Sequence, residues 1–257
     1  MSLTFGGAAS DRINCGSGAS HDNITAGTVA LIAYPTSVGV AYDPRFFQKG
    51  LFAGGDSRFL TFVRASSRLE GLIQRSTTSI DAIANLSDFS AWALSTWMLV
   101  AFTWNDAGAS TDQRLYVGNQ TTAPAEPSSY TTQQVGSGTT SDDSARDWIL
   151  GNNQNNGNAF IGEIAVQGVW SRQLSAADLA AWFKNPTEVG ANLVMLHSIG
   201  SNGTDTQFDY SGNANAGTVT GATVSTNKPP TGLWTPVINP LYNGAHRRTR
   251  RPALLGR

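Results

Sequence analysis

One cysteine, Cys15, stands in 257 residues, which excludes an intrachain disulfide and any site built from several thiolates. Histidine is nearly as scarce: His21, His197 and His246 are far apart, and their spacing suggests neither a zinc motif nor a catalytic triad. Charged residues make up only 14% of the chain. No apolar run approaches the ~18 residues of a membrane-spanning helix, so no membrane insertion is expected. The opening MSLTFGGAASDR has neither the basic n-region nor the apolar h-region of a secretory signal. No signal peptide is therefore read, and synthesis in a host cytoplasm is expected. The four sequons, at Asn23, Asn85, Asn119 and Asn202, then read as chance in an Asn/Thr-rich chain. There is no G-x-S-x-G, no H-E-x-x-H and no Walker loop.

What is present is glycine (27 residues), many Ser, Thr and Asn, and seven tryptophans within a 40% hydrophobic total. This composition favours short strands joined by turns around one core. TVALIAY (28–34) is apolar on both alternating faces, as an internal strand would be. FLTFVRA (59–65) and LEGLIQR (69–75) flank a short polar link and read as a hairpin. WMLVAFTW (97–104) is the clearest strand, ended by NDAG, and QRLYVGN (113–119) returns beside it. DWILGN (147–152), AFIGEIAVQGVW (159–170) and NLVMLHSI (192–199) continue the series.

One helix is expected after Ser175. Ser175 and Asp178 form a capping box, Leu179, Trp182 and Phe183 share a face, and Pro186 stops the run. The polar stretch from Asn119 to Ser144 reads as a long loop, either functional or disordered. After Lys228 the chain becomes Pro-rich and then Arg-rich. Residues 1–227 are read as a sandwich domain and 228–257 as an extended C-terminal arm. The last eleven residues hold five arginines and no acid, leaving 12 basic against 18 acidic residues before them: −6 for the body, +5 for the tail. The body is poorly suited to nucleic acid, and no sequence-specific nucleic-acid partner is expected.

Four segments in order, LTFGGAASDRIN, WMLVAFTW, RLYVGN and FIGEIAVQGVWSRQLSAADL, resemble the laminin-G-like, concanavalin-A-like lectin/glucanase superfamily. A fifth, DYSGNANAGTVTGA (209–222), is similar to the segment that usually precedes that family's first core strand. Here it follows the helix, so it is expected beside Phe5, closing the sandwich in a permuted order. The resemblance implies an all-β, concanavalin A-like jelly-roll β-sandwich with one short helix and the Pro/Arg-rich arm. Its glucanases carry paired carboxylates on one strand, spaced E-x-D-x-x-E or close to it, one nucleophile and one acid. The matching positions here are Glu163, Ala165 and either Gln167 or Gly168. One carboxylate remains, so no catalytic residues are assigned and the chain is read as not an enzyme.

Similar modules are widespread in bacteria and in tailed bacteriophages, where they occur on virion surfaces, tails and fibres, and the resemblance implies a non-catalytic structural or adhesion module. Its concrete form is head decoration or a tail-associated protein on the virion surface. The expected partners are other virion proteins and further copies of itself. Arg247, Arg248, Arg250 and Arg251, with Leu254 and Leu255, are the candidate docking residues. The alternative is a glycan-binding lectin for surface glycans, and a glycoside hydrolase of the same fold is third. For a lectin, Asn152, Asn153, Asn155 and Asn156 supply amides for sugar hydroxyls, and Trp104 and Tyr130 supply ring platforms. The plainer reading of the same residues is a solvated hairpin turn beside a core tryptophan. No cofactor is required. Calcium, common among relatives, is left open, with Asp106 and Asp112 as first candidates and Asp142 with Asp143 or Asp205 with Asp209 as others.

Overall fold

The computed structural model describes residues 1–37, 44–50, 59–64, 68–73, 82–86, 93–106, 112–137 and 142–230, with backbone alone for 59–64, 82–86 and residue 68. Among these the strands in chain order are β1 (Ser2–Gly6), β2 (Arg12–Asn14), β3 (Ala26–Pro35), β4 (Arg45–Lys49), β5 (Phe59–Arg64), β6 (Arg68–Ile73), β7 (Ala82–Leu86) and β8 (Met98–Asn105). They continue with β9 (Arg114–Asn119), β10 (Thr132–Gln134), β11 (Trp148–Leu150) and β12 (Ile161–Trp170). After helix α1 (Ala176–Lys184) come β13 (Leu193–Ser198), β14 (Thr218–Thr220) and β15 (Thr223–Ser225).

Two antiparallel sheets result, an all-β sandwich of the jelly-roll class. The first runs β15-β1-β12-β3-β8-β9, and β13 joins β12 beyond the end of β1; the second runs β10-β7-β6-β5-β4-β11-β2-β14. Strand alternation explains why β3 and β8 are apolar throughout. Val29 and Leu31 face the inter-sheet core with Met98, Val100, Phe102 and Trp104. Ala30, Ile32, Leu99 and Ala101 face outward, into a second apolar layer with Trp170, Trp182 and Leu179. Helix α1 supplies that layer's cover, so the central strands of the first sheet are buried on both faces. The Trp170 and Trp182 rings meet edge to face, centroids 5.4 Å apart.

The helix begins as its sequence directs. Ser175 Oγ accepts from the Asp178 N–H at 3.1 Å, and Asp178 Oδ2 accepts from the Ser175 N–H at 3.0 Å. The fifth segment closes the sandwich but not beside Phe5: its strand β14 pairs with β2 in the second sheet, and the strand that pairs with β1 is β15, just beyond the segment, with Leu3 opposite Val224. Gly221, at φ 75°, sits at the corner where the chain changes sheet.

The polar stretch after Asn119 departs from the loop expected of it. Ala125 bridges Val117, and the Tyr130 hydroxyl accepts the Leu115 N–H at 2.9 Å. Residues 132–134 then become β10, paired with β7. The segment is a strap that covers the open edge of β9 and crosses to the other sheet, which removes an unpaired strand edge.

Residues 207–210 make a further closure. Gln207 exchanges backbone hydrogen bonds with Gly217 at 2.7 and 2.8 Å, while the Tyr210 N–H donates to Leu196 O at 2.8 Å. This one extended segment therefore hydrogen-bonds toward β14 on one side and β13 on the other. It joins the second sheet to the first.

Candidate functional site

On β12 the pairing register shifts between Ile164 and Val166. This bulge at Ala165 breaks strict alternation. Ile164 and Val169 face the inter-sheet core, while Ala165, Val166 and Trp170 face outward. Gln167, buried among the core-facing positions with its amide 3.2 Å from Met195 sulfur, is on the opposite face from Glu163. Of the two spacings left open by the sequence, the bulge selects Gly168. The face that carries Glu163 thus carries Ala165 and Gly168, and no second carboxylate. Glu163 is 8% exposed. Its Oε2 lies 2.7 Å from Ser2 Oγ, and its Oε1 accepts from Asn227 Nδ2 at 3.1 Å. Trp97 Nε1 donates to Asn227 Oδ1 at 3.3 Å. These contacts tie β1, β8 and β12 to the chain beyond β15.

The candidate sugar-binding residues need correction. Trp104 is fully buried, stacked on Phe102, with Nε1 donating to Ile24 O at 3.1 Å; it is a core residue and offers no platform. The Tyr130 ring packs against the core and its hydroxyl is committed to the Leu115 backbone. The amide-rich turn closes on itself. Asn152 is fully buried, donating to Ala9 O and Asp11 O at 2.9 and 3.0 Å and accepting from the Asn153 and Asn158 N–H groups. Asn153 accepts from the Gly157 N–H at 2.8 Å and bonds Asn158 through its amide nitrogen. Asn156, in the left-handed region at φ 59°, accepts from Arg12 Nη1 at 2.6 Å. Only Asn155 stays exposed. The turn's amides build the turn, because a tight polar loop over a buried edge satisfies its own backbone.

Among the described residues no group of three or more His, Cys, Asp or Glu side chains is placed to hold a metal. Of the candidate acids, Asp106 and Asp112 are tied in through their backbones, and Asp142 and Asp209 through their carboxylates. Asp106 N–H bonds Thr25 O at 2.7 Å, and Asp112 O accepts from Gln173 Nε2 at 2.6 Å. Asp142 accepts from Asn23 and Ser144. Asp209 accepts from the Leu196, Ser211 and Asn215 N–H groups at 2.9–3.0 Å. Arg247, Arg248, Arg250, Arg251, Leu254 and Leu255 lie outside the described residues.

A cluster with no sequence motif is buried at the end of β4. Lys49 is fully buried; its Nζ reaches Asp22 Oδ1 at 2.5 Å, Asp143 Oδ1 at 3.1 Å, His21 O at 2.9 Å and His21 Nδ1 at 3.0 Å. Burial first, and then the Lys49 charge, push the His21 pKa down from 6.5 to about 4. A cation enclosed by two carboxylates is structural, pinning the 21–22 and 142–143 segments to the sheet.

Outside the core, one groove has the makings of a binding site. At the β2–β14 end of the second sheet, Ile13 faces the core while Arg12 and Asn14 face out, and Val219 packs inward while Thr218 and Thr220 stay exposed. The register sets Thr218 opposite Asn14 and Thr220 opposite Arg12. These four side chains, with Asp147, Gly16 and Ala216, line an open groove of about 390 Å³. Asn14 Nδ2 donates to Asp147 Oδ2 at 2.8 Å, and Asn14 Oδ1 accepts from the Gly16 N–H at 2.7 Å. Arg12 is steadied by Asn156. The groove thus offers a fixed guanidinium, an amide, a carboxylate and two hydroxyls, donors and acceptors together. Cys15 also borders it, but its thiol is 4% exposed and burial pushes its pKa far up, so it is an inert core group. No motif marks this site, since its residues come from three distant segments.

No protein-family model matches the chain, and no curated protein is similar enough to match. Solved structures are similar. A Bacteroides ovatus protein provisionally described as carbohydrate binding aligns with 88% of this chain and 61% of its own length, at 13% identity and a TM-score of 0.54. The native heptameric SAP-like pentraxin of Limulus polyphemus aligns with 70% of this chain and 80% of its own, at 14% identity and a TM-score of 0.44. A full-length tailspike protein of an Escherichia coli O157:H7 bacteriophage aligns with 69% of this chain and 24% of its own, at 14% identity and a TM-score of 0.45. The chain therefore spans about three-fifths of the Bacteroides protein and a quarter of the tailspike. The Bacteroides alignment shows the fold, an all-β jelly-roll sandwich.

Proposed function

We propose that this chain is a non-catalytic glycan-binding module of the laminin-G-like, concanavalin-A-like class, serving attachment at the surface of a tailed-phage virion. The observation that carries the reading is the outward groove of Arg12, Asn14, Asp147, Thr218 and Thr220. Converging donors and acceptors on an open, rigid sheet end suit the many hydroxyls of a sugar. Glycoside hydrolysis needs two carboxylates flanking the bond, whereas the Glu163 face has one, already bonded to Asn227. A fold neighbour described as carbohydrate binding is consistent with this reading.

The test is an array of bacterial surface polysaccharides probed with wild type and with Asn14→Ala, Arg12→Ala and Thr218→Val. A specific signal weakened about tenfold or more by Asn14→Ala is expected. An array without signal would overturn the reading, as would release of reducing sugar that disappears in Glu163→Gln. Docking on the virion is assigned to the arm on its +5 charge against the −6 body. Its test is co-sedimentation with particles lacking the protein.

A further inference from the structure

Phe208 and Tyr210 are 50% and 39% exposed, while Gln207 and Asp209 beside them are buried. Alternation therefore turns both rings to the outside of the segment that joins the two sheets. That segment is held from within. Gln207 Oε1 accepts from the Gly200 N–H at 2.7 Å, and its Nε2 donates to Gly203 O and Asp205 O at 3.1 and 2.6 Å. Asp209 Oδ2 accepts from Ser211 Oγ at 2.8 Å and from the Asn215 N–H at 3.0 Å. The two aromatics are consequently presented on fixed backbone, not on a loose loop.

Their position follows from a single backbone pair. The isolated antiparallel bridge between Gln207 and Gly217 brings the next residues along, Phe208 and Ala216, to the same outer side of the two segments. Ala216 lines the polar groove with Thr218, Asn14 and Arg12. Phe208 therefore stands on the groove's rim, and Tyr210 lies about 7 Å further along, two strand residues on.

We propose that the binding site is the polar groove and the aromatic ledge together, and that it takes an oligosaccharide of two or more rings. One ring sits among Arg12, Asn14 and the threonine hydroxyls; the next lays its C–H face on Phe208 and Tyr210. A flat apolar surface held at the edge of a hydroxyl-binding floor matches the two faces of a pyranose chain. This rests on the glycan-binding reading of the groove.

The experiment is titration calorimetry of the whole chain with manno-, chito- and rhamno-oligosaccharides of increasing length, their monosaccharides, and any sugar that the surface-polysaccharide array selects. Wild type is compared with Phe208→Ala, Tyr210→Ala, Phe208→Tyr and Asn14→Ala. Affinity should rise from mono- to oligosaccharide. Each alanine on the ledge should remove roughly three- to tenfold of the oligosaccharide affinity, whereas Phe208→Tyr, which keeps the ring, should retain it. Asn14→Ala should weaken mono- and oligosaccharide binding alike. Oligosaccharide binding indifferent to Phe208→Ala and Tyr210→Ala would overturn the ledge and leave the groove reading standing. Loss of self-association without loss of sugar affinity would also overturn it, marking the ledge as a contact between copies. No binding by any sugar on the array or in the titration would sink both readings.

Discussion

His21 shows how one buried side chain couples stability to pH. Its folded pKa of about 4 lies below its ordinary 6.5, so the folded state favours neutral imidazole. In the unfolded chain the ring takes up a proton below about pH 6.5, whereas in the folded chain it does not until about pH 4. The contribution is complete above pH 6.5 and is lost as pH falls toward 4. Burial lowers the His197 pKa in the same direction. Urea unfolding should show a loss of about 2 kcal/mol between pH 7.5 and pH 5. His21→Gln should flatten that slope, and an unchanged slope would assign the pH dependence elsewhere. Lys49→Met should be costlier, about 3–5 kcal/mol, because it strands the Asp22 and Asp143 carboxylates without their buried cation. Neither effect was legible beforehand. Lys49 reads as an ordinary strand-end lysine until the fold brings Asp22 and Asp143 around it.

Among the elements, helix α1 was the most legible in sequence, because all its determinants are local: a Ser175–Asp178 box, one apolar face and Pro186. Ser175→Ala should cost about 1 kcal/mol, measured as a shift in the unfolding midpoint. The long central strands were legible for a similar reason, since a continuous apolar run states that both faces are buried. The three-residue strands β2, β10, β11, β14 and β15 are too short for periodicity to show, and exist because longer neighbours pair with them. The strap after Asn119 is hidden in the sequence because its polar residues look like solvated loop. The Tyr130 hydroxyl and the Val117–Ala125 bridge hold it beside β9, and β10 holds it to β7. Tyr130→Phe, which deletes only that hydroxyl, should destabilise by about 1 kcal/mol, with faster amide exchange at Leu115. Unchanged protection there would mean the strap is held by other contacts. The bulge at Ala165 was also hidden, since strict alternation would set Gln167, and not Gly168, on the Glu163 face.

For the whole molecule, composition and strand order conveyed the sandwich, but the groove could not be read. Arg12, Asp147 and Thr218 meet only because the chain's beginning, middle and late segments converge on one sheet end. The Asn-rich turn attracted attention as a local cluster, and its amides proved to be spent on the turn itself. The same convergence supports a forecast about the arm. β15 ends at Ser225, Asn227 bonds Glu163, and Pro229 is buried. A chain ended at Pro230 should therefore keep the wild-type circular dichroism spectrum and unfolding midpoint while losing co-sedimentation with virions. Serine in place of Arg247, Arg248, Arg250 and Arg251 should give a partial loss that is largest at low salt and narrows as the Debye length falls from about 10 Å at 0.1 M to about 3 Å at 1 M. Undiminished co-sedimentation of the shortened chain would move the docking surface onto the sandwich.

The split of residues 218–225 between the two sheets also bears on how the protein is born. β1 and β2 are made long before their partners β15 and β14, and Ser2 hydrogen-bonds Asn227 across 225 positions of sequence. Loop closures of that span come late and slowly. During translation the first two strands can use only one of their edges, and the far end of each sheet stays open. The groove, whose walls are β2 and β14, exists only once synthesis has passed residue 220. A ligand of the groove must therefore wait until β14 has closed onto β2.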